Sequence, residues 1–352
     1  MRRILASAVS VLLASVSLAL APSASAAAST TSTPAALALP NGAPDISLAE
    51  VQTHLSRLAT IASSNGGNRC TGRSGYRASV DYVRSVLAAT GYAVTEQAFS
   101  TNSGISYNLI AELPGADPSR VIMVGGHLDG VCAGPGINDN GTGSAAILTV
   151  ARTFASLGFR PPVTIRFAWW GAEEQGLLGS RYYVNTLSSA ERSRIRAYLN
   201  FDMIGSPNPG YFVYNDDSRG AAIRDILVTY FTTIGITPQY TYAGGRSDHG
   251  PFISAGIPTG GTFSGAEEIK TAAQAALWGG TAGRAFDPCY HRSCDNLSNV
   301  NSAALERHAN AISYVLWELL RRSSGASVFE TFVNAADYSI LDRGRVESPI
   351  TV

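Results

Sequence analysis

Acidic and imidazole side chains recur in this sequence just after short apolar runs of the kind that form buried β-strands. The runs cover residues 121–125, 163–170 and 196–201, and the side chains that follow them are His127, Asp129, Glu173, Glu174 and Asp202. Taken singly, such an aspartate is most simply a helix cap, and such a glutamate pair a solvated loop. Carboxylates that meet in one crevice repel one another unless a cation lies among them. The repetition therefore favours a metal site.

These predicted strands alternate with helical stretches such as 144–157 and 177–185. The alternation predicts a single α/β domain in which a mostly parallel, mixed sheet lies between layers of helices. Ligands of open parallel sheets bind where the strands end at their carboxyl edge. Asp139 lies in a glycine-rich loop, 136–143, ahead of a helix, and we expect it at the same edge.

The ligand types indicate which metal this edge would hold. One imidazole plus carboxylates on each ion, with room for water, suits Zn²⁺ in a hydrolytic site, and two such ions need two histidines. Of the five histidines, His54 and His308 are predicted on helices as surface or packing residues. His291, in a loop between two cysteines, is preferred to His249, whose aspartate and glycine neighbours predict a structural turn.

Other kinds of site are disfavoured. The sequence has no H-E-x-x-H motif of helix-borne zinc peptidases and no G-x-S-x-G motif of serine hydrolases. The glycine-rich loop lacks the dinucleotide fingerprint and the phosphate-loop lysine. The formal net charge is zero, so charge gives no attraction to nucleic acid or to an anionic membrane.

The two ends of the chain differ in composition from its body. Residues 1–26 are predicted to be a signal peptide, with two arginines, an apolar run and an A-x-A cleavage motif at 24–26. A transmembrane anchor is the alternative, but the apolar run is interrupted by Ser and Ala and stops at a proline. We interpret 27–42 as a pro-segment or spacer, 43–324 as the domain and 325–352 as a C-terminal tail of unknown role. The sequence thus predicts a secreted, extracellular protein.

Export would permit the four cysteines to form disulfides. Cys289 and Cys294 are close enough in sequence for one loop bridge, which would leave Cys70 and Cys132 as the remaining pair. The sequence alone leaves the connectivity open. A cysteine-ligated metal is the competing interpretation, but the spacing matches no zinc-finger pattern.

These motifs, in this order, resemble the secreted double-zinc aminopeptidases of Streptomyces type, within the clan of co-catalytic zinc exopeptidases. The resemblance extends from about residue 43 to the end of the last predicted helix. It rests on the segments 43–49, 127–129, 136–141, 167–174, 199–210, 245–249 and 289–294. It implies the helix-sandwiched fold of the zinc exopeptidases, also called phosphorylase/hydrolase-like.

The resemblance also implies a carboxylate-bridged pair of zinc ions. Asp139 would bridge the ions, with His127 and Asp202 on one and Glu174 and His291 on the other.

Further roles are implied for residues around the ions. Glu173 would be the general base and acid, Tyr290 would hydrogen-bond the tetrahedral intermediate, and Asp129 would orient His127. Substrate would contact Arg246 and a hydrophobic pocket lined by Met203 and Phe263. Cys289 and Cys294 would be disulfide-bonded.

A calcium site is implied with less support from the residues present. Its ligands would be Asp45, the carbonyl group of Ile46, Glu306 and Asn310. The last two are usually both aspartate in the family. Because glutamate is longer and asparagine is uncharged, we expect this site to be weak or absent.

The predicted function is hydrolysis of the N-terminal peptide bond of peptides with a free N-terminus, with preference for Leu and other large hydrophobic first residues, by a monomer. One alternative is another zinc exopeptidase or a glutamine cyclase on the same fold. Cyclases of this fold hold one zinc, so the metal-to-protein ratio separates them. A second alternative is a non-catalytic binding protein, whose function would survive chelation.

Overall fold

The computed structural model describes residues 39–324, in which strands and helices alternate. The strands are β1 (Ala93–Thr101), β2 (Gly104–Leu113), β3 (Asp117–His127), β4 (Val163–Trp170), β5 (Ile195–Phe201), β6 (Phe212–Tyr214), β7 (Gln239–Thr241) and β8 (Thr259–Phe263). The helices are α1 (Leu48–Ser64), α2 (Ser74–Ala88), α3 (Gly143–Ser156), α4 (Leu178–Thr186), α5 (Ser189–Arg194), α6 (Ala221–Thr233), α7 (His249–Ser254), α8 (Ala272–Trp278) and α9 (Ser302–Ser324). None of these helices is both long and apolar enough to span a membrane.

The strands of the described residues form one mixed sheet in the order β1-β2-β4-β3-β5-β8-β6-β7. The central strands are parallel: β3 pairs with β4 and β5, and β5 pairs with β8. Antiparallel pairs join β1 to β2, β2 to β4, and β6 to β8. The predicted fold class, an α/β domain built on a mostly parallel, mixed sheet, is confirmed.

Helices cover both faces of the sheet, so the central strands are apolar on both sides. Ile122 and Val124 of β3 belong to the larger core beneath α1, α2, α3, α6 and α9. Val121 and Met123 belong to the smaller core beneath α4 and α7. Because successive side chains of a strand point to opposite faces, alternate residues of β3 pack into opposite cores.

Trp169 and Trp170 anchor the carboxyl end of β4 by burial and by hydrogen bonds. Both are fully buried, one in each core. The indole N–H of Trp169 donates to the Ser144 carbonyl at 3.1 Å, and that of Trp170 donates to the Tyr198 hydroxyl at 2.8 Å. Truncation of such a side chain costs about 3–5 kcal/mol. The chain therefore leaves β4 toward Glu173 from a well-fixed point.

Two disulfides pair all four cysteines, Cys70 with Cys132 and Cys289 with Cys294. The structure thus resolves the connectivity that the sequence left open. The bridges differ in span, with sequence separations of 62 and 5 residues.

The predicted signal peptide 1–26, most of the predicted spacer 27–42 and the predicted tail 325–352 lie outside the described residues. The last residues of the spacer do contact the domain. Leu39 packs against the larger core, and the Asn41 amide donates to the Tyr314 carbonyl at 3.2 Å. The boundary at 42 stays a prediction.

Candidate metal centre

Three parallel strands end at one edge of the sheet and present four of the predicted side chains there. His127 is the last residue of β3, and Asp202 directly follows β5. Glu173 and Glu174 begin a short helical turn, Glu173–Gln175, just after β4. Because His127 pairs with Trp170, β3 and β4 end at the same level.

The loop that presents Asp139 is fixed from two sides. Asp295 accepts hydrogen bonds from the backbone N–H groups of Asn138 at 2.8 Å and Asp139 at 3.0 Å. The side-chain amide of the next residue, Asn140, donates to the Phe201 carbonyl at 3.0 Å. The Asp139–Asn140 peptide bond is cis. The loop is thereby joined both to the C-terminal part of the domain and to the end of β5.

The two carboxylate oxygens of Asp139 face different imidazoles. Oδ1 lies 3.3 Å from His127 Nε2, and Oδ2 lies 3.2 Å from His291 Nε2. His127 Nε2 is also 3.3 Å from Asp202 Oδ1, and His291 Nε2 is 3.0 Å from Glu174 Oε2. Each half supplies three ligand atoms within 4.8 Å of one another, and Asp139 belongs to both halves. The structure thus brings all five predicted ligands together.

Both imidazoles are held among carboxylates. Burial lowers the pKa of His127, but the charges of Asp202 and Glu173 outweigh it and raise that pKa well above its ordinary value. Hydrogen bonds with Asp139 and Glu174 raise the pKa of His291 to about 10. Without a cation, these raised pKa values favour protonated imidazoles at the positions where an ion would bind. A metal ion must displace these protons, so its affinity depends on pH.

The carboxylates fit a bound cation. Burial, assisted by the charge of Asp139, raises the pKa of Glu174 to about 7. Its Oε1 atom is buried and has no hydrogen-bond partner within residues 39–324. An unpaired buried carboxylate oxygen is costly, and a cation would satisfy it. Imidazole nitrogens with carboxylate oxygens are a donor set that Zn²⁺ accepts.

Glu173 lies beside this cluster, grouped with His127 and Glu174. Burial raises its pKa well above the ordinary value, and the nearby charges of Asp248 and Asp202 add to this effect although His127 opposes it. A carboxyl group with a raised pKa takes up a proton more readily than an exposed glutamate does.

Asp129 contacts His127 mainly through its backbone. His127 Nδ1 lies 3.1 Å from the Asp129 carbonyl oxygen and 3.7 Å from the Oδ1 atom. The carboxylate instead accepts hydrogen bonds from the Thr71 hydroxyl and from the backbone N–H of Glu173, both at 3.2 Å. Asp129 therefore joins three segments of the site.

An open cleft of about 400 Å³ lies over the cluster and is lined by every residue predicted to contact substrate. Met203 is buried and Phe263 is half-buried, so they supply an apolar wall. Tyr290 stacks on the His291 ring with centroids 3.8 Å apart. Burial raises the pKa of Tyr290 above its ordinary value, so its hydroxyl stays protonated and able to donate.

Arg246 lies at the rim of the cleft, where 66% of its side chain is exposed. Its guanidinium is 3.7 Å from Glu267 and 3.4 Å from Glu268. Exposed pairs of this kind contribute little to stability and can exchange partners.

His249 is not among the metal-capable groups of the described residues. It is buried at the start of α7, stacks on Tyr214 with centroids 4.7 Å apart, and lies 3.6 Å from Asp216. The expected turn is present, since the Gly250 N–H donates to the Ser247 carbonyl at 2.9 Å.

The residues proposed for calcium bind one another instead. The Asn310 amide donates to Asp45 Oδ1 at 2.7 Å, and its oxygen accepts from the Ile46 N–H at 2.7 Å. Glu306 is exposed. One Asp45 oxygen thus has an amide partner, and the calcium site stays a prediction.

Some residues that hold the site were missed by sequence reasoning. They are Arg69, Thr71, Asn140, Ser247 and Asp295. Ser247, for example, donates to Asp202 Oδ2 at 2.6 Å. Asp295 and Arg69 each adjoin a disulfide cysteine, which was the one local signal available.

Comparisons with known proteins show the family to which the chain is related. Residues 108–316 match peptidase family M28. Leupeptin-inactivating enzyme 1 of Streptomyces exfoliatus is 52% identical over 330 residues, which cover 91% of this chain and 74% of that protein. An aminopeptidase of Pseudomonas aeruginosa is 48% identical over 219 residues, 60% of this chain and 40% of its own length.

Among solved structures, a zinc aminopeptidase from Bacillus subtilis superposes with a TM-score of 0.66 at 18% identity. The superposition covers 78% of this chain and 95% of that one. At this identity the likeness shows the fold.

Proposed function

Because the chain belongs to peptidase family M28, we propose that it is an aminopeptidase whose site holds two zinc ions bridged by Asp139. The observation that supports this most is the division of the Asp139 oxygens between His127 and His291. Asp202 would complete one set of ligands and Glu174 the other. Such a pair of ions would polarise the scissile carbonyl group and make a water molecule acidic enough to attack it.

The proton of the attacking water would pass to Glu173. This glutamate lies beside the cluster, and its raised pKa suits a group that must hold a proton and then release it to the leaving amine. Glu174 faces His291 and would be a metal ligand. The two adjacent glutamates would therefore have different roles, Glu173 as proton carrier and Glu174 as ligand.

The oxyanion that forms during attack would accept a hydrogen bond from Tyr290. Tyr290 lines the cleft, and its raised pKa keeps the hydroxyl protonated at neutral pH. A donor that is already in place is more effective than one that must reorganise.

The cleft also favours a free N-terminus with an apolar side chain. Glu173, which is not a proposed metal ligand, would contact an α-ammonium group, while Met203 and Phe263 form the apolar wall. Leucine would fit this wall, and Arg246 at the rim would contact the peptide. The relatives named aminopeptidase support the same class of reaction.

Hydrolysis of a small panel of aminoacyl p-nitroanilides tests this function. We expect leucine to be released faster than alanine or glutamate, and N-acetyl-leucine p-nitroanilide to resist hydrolysis. Equal rates on the free and acetylated substrates would contradict an aminopeptidase. A preference for glutamate would contradict the apolar pocket.

We also propose that residues 1–26 direct export and that the enzyme acts outside the cell as a monomer. The two disulfides support export, because such bonds persist in oxidising compartments. A weak calcium site at Asp45 stays a prediction, because the Asn310 amide contacts one of the two Asp45 carboxylate oxygens.

A further inference from the structure

Three consecutive residues between α1 and α2 lie against the segments that carry the proposed metal ligands. They precede the region 108–316 that matches the family. Arg69, Cys70 and Thr71 are exposed by 0%, 3% and 3%. A polar segment buried this completely needs partners for its polar groups. Arg69 and Thr71 find them in the segments that present the proposed ligands, and Cys70 is bonded to Cys132.

Arg69 binds two of these segments at once. Its Nε donates to the Pro135 carbonyl at 2.9 Å, and its Nη2 donates to the Gly136 carbonyl. Its Nη1 donates to the carbonyl of Leu128. Leu128 follows His127 directly, and Gly136 opens the loop of Asp139. One guanidinium thus joins the segment that presents His127 to the loop that presents Asp139.

Thr71 and Cys70 are also linked to segments near the proposed ligands. The Thr71 hydroxyl accepts from the Ala172 N–H at 3.0 Å and donates to Asp129 Oδ2 at 3.2 Å. Ala172 directly precedes Glu173. The Cys70–Cys132 disulfide joins the segment covalently to the loop between His127 and Asp139.

We propose that Arg69 is a positioning residue, which with Thr71 sets the spacing of the metal-binding segments before any ion binds. This rests on the proposed zinc site. The planar fork of the guanidinium reaches three carbonyl groups in a fixed arrangement, which the single ammonium group of lysine does not reproduce. The positive charge lies near the carboxylates of Asp129, Asp139 and Glu174 and offsets part of their repulsion.

Arg69→Lys tests the proposal, because it keeps the charge and loses the fork. Outer contacts of metal ligands typically change metal affinity or activity by about 10–100-fold. We expect zinc to pass to a chelator about 10–100-fold faster than from the wild type. We expect kcat on leucine p-nitroanilide to fall by a similar factor, with KM little changed, because Arg69 does not line the cleft.

Arg166→Lys is the matched control. Arg166 is also buried, but it binds Glu112 and Tyr183, away from the proposed ligands. We expect this control to lower Tm and to keep zinc as the wild type does. If Arg69→Lys does not fold, Thr71→Val keeps the volume and removes the bridging hydroxyl, and we expect zinc release about tenfold faster.

The outcomes separate this inference from the function on which it rests. A wild type without zinc and without aminopeptidase activity would overturn the proposed function. The positioning role alone would be overturned by a different result. In that case the wild type is active, and the folded Arg69→Lys or Thr71→Val variant retains zinc and kcat to the same extent as Arg166→Lys.

Discussion

The adjacent side chains of Glu173 and Glu174 have different neighbours, and we propose different chemical roles for them. Glu174 is 3.0 Å from His291 and shares that imidazole with Asp139. Glu173 leaves the same turn toward His127, where burial raises its pKa well above the ordinary value. Identical side chains one residue apart are therefore expected to serve as a ligand and as a proton carrier.

Glu173→Gln removes the proposed proton carrier and keeps its shape. We expect kcat on leucine p-nitroanilide to fall by about 10²–10⁴-fold while the zinc content stays at the wild-type level. Glu174→Gln, the same change one residue later, should instead lower the zinc content. Activity within tenfold of the wild type for Glu173→Gln would show that another group moves the proton.

At the scale of strands and loops, the site combines local and distant contributions. His127 could be predicted because the apolar run of β3 and the ligand at its end are neighbours in sequence. Asp295 could not, because its hydrogen bond to the Asp139 N–H joins residues 156 apart and an aspartate in a loop is ordinary. Arg69 was missed for the same reason, since 67 residues separate it from Gly136. The two disulfides could be proposed as pairs but not established.

The two disulfides should stabilise the fold unequally. In the chain-entropy account, a bridge across 62 residues removes more freedom from the unfolded chain than one across 5. We expect Cys70→Ala/Cys132→Ala to lower the free energy of unfolding by about 2 kcal/mol more than Cys289→Ala/Cys294→Ala does. Urea unfolding of both double variants measures the difference. An equal loss would mean that strain or residual structure outweighs loop length.

For the molecule as a whole, buried neutral histidines should contribute to the loss of stability in acid. Burial lowers the pKa of His308 to about 3 and that of His54 to about 4, with the charge of Arg152 adding to the second shift. In the unfolded chain both titrate near 6.5. As pH falls below 6.5 the unfolded state binds protons that the folded state does not, so stability is lost toward acid.

His308→Gln tests this contribution. Between pH 6.5 and about 3, His308 should lower the free energy of unfolding by up to about 1.4 kcal/mol per pH unit. We expect the variant, measured by urea unfolding at pH 7.5 and 4.5, to lose less stability than the wild type. Parallel losses in the two proteins would show that His308 is protonated in the folded state.

We expect Asp139 to bridge two zinc ions that the enzyme needs. The most direct test is the zinc-to-protein ratio of the dialysed protein, measured together with leucine p-nitroanilide hydrolysis before chelation, after chelation and after zinc is returned. We predict two zinc ions per chain, loss of activity on chelation, recovery with zinc, and loss of both ions in Asp139→Ala. A ratio of one, or activity that survives complete removal of metal, would contradict the account.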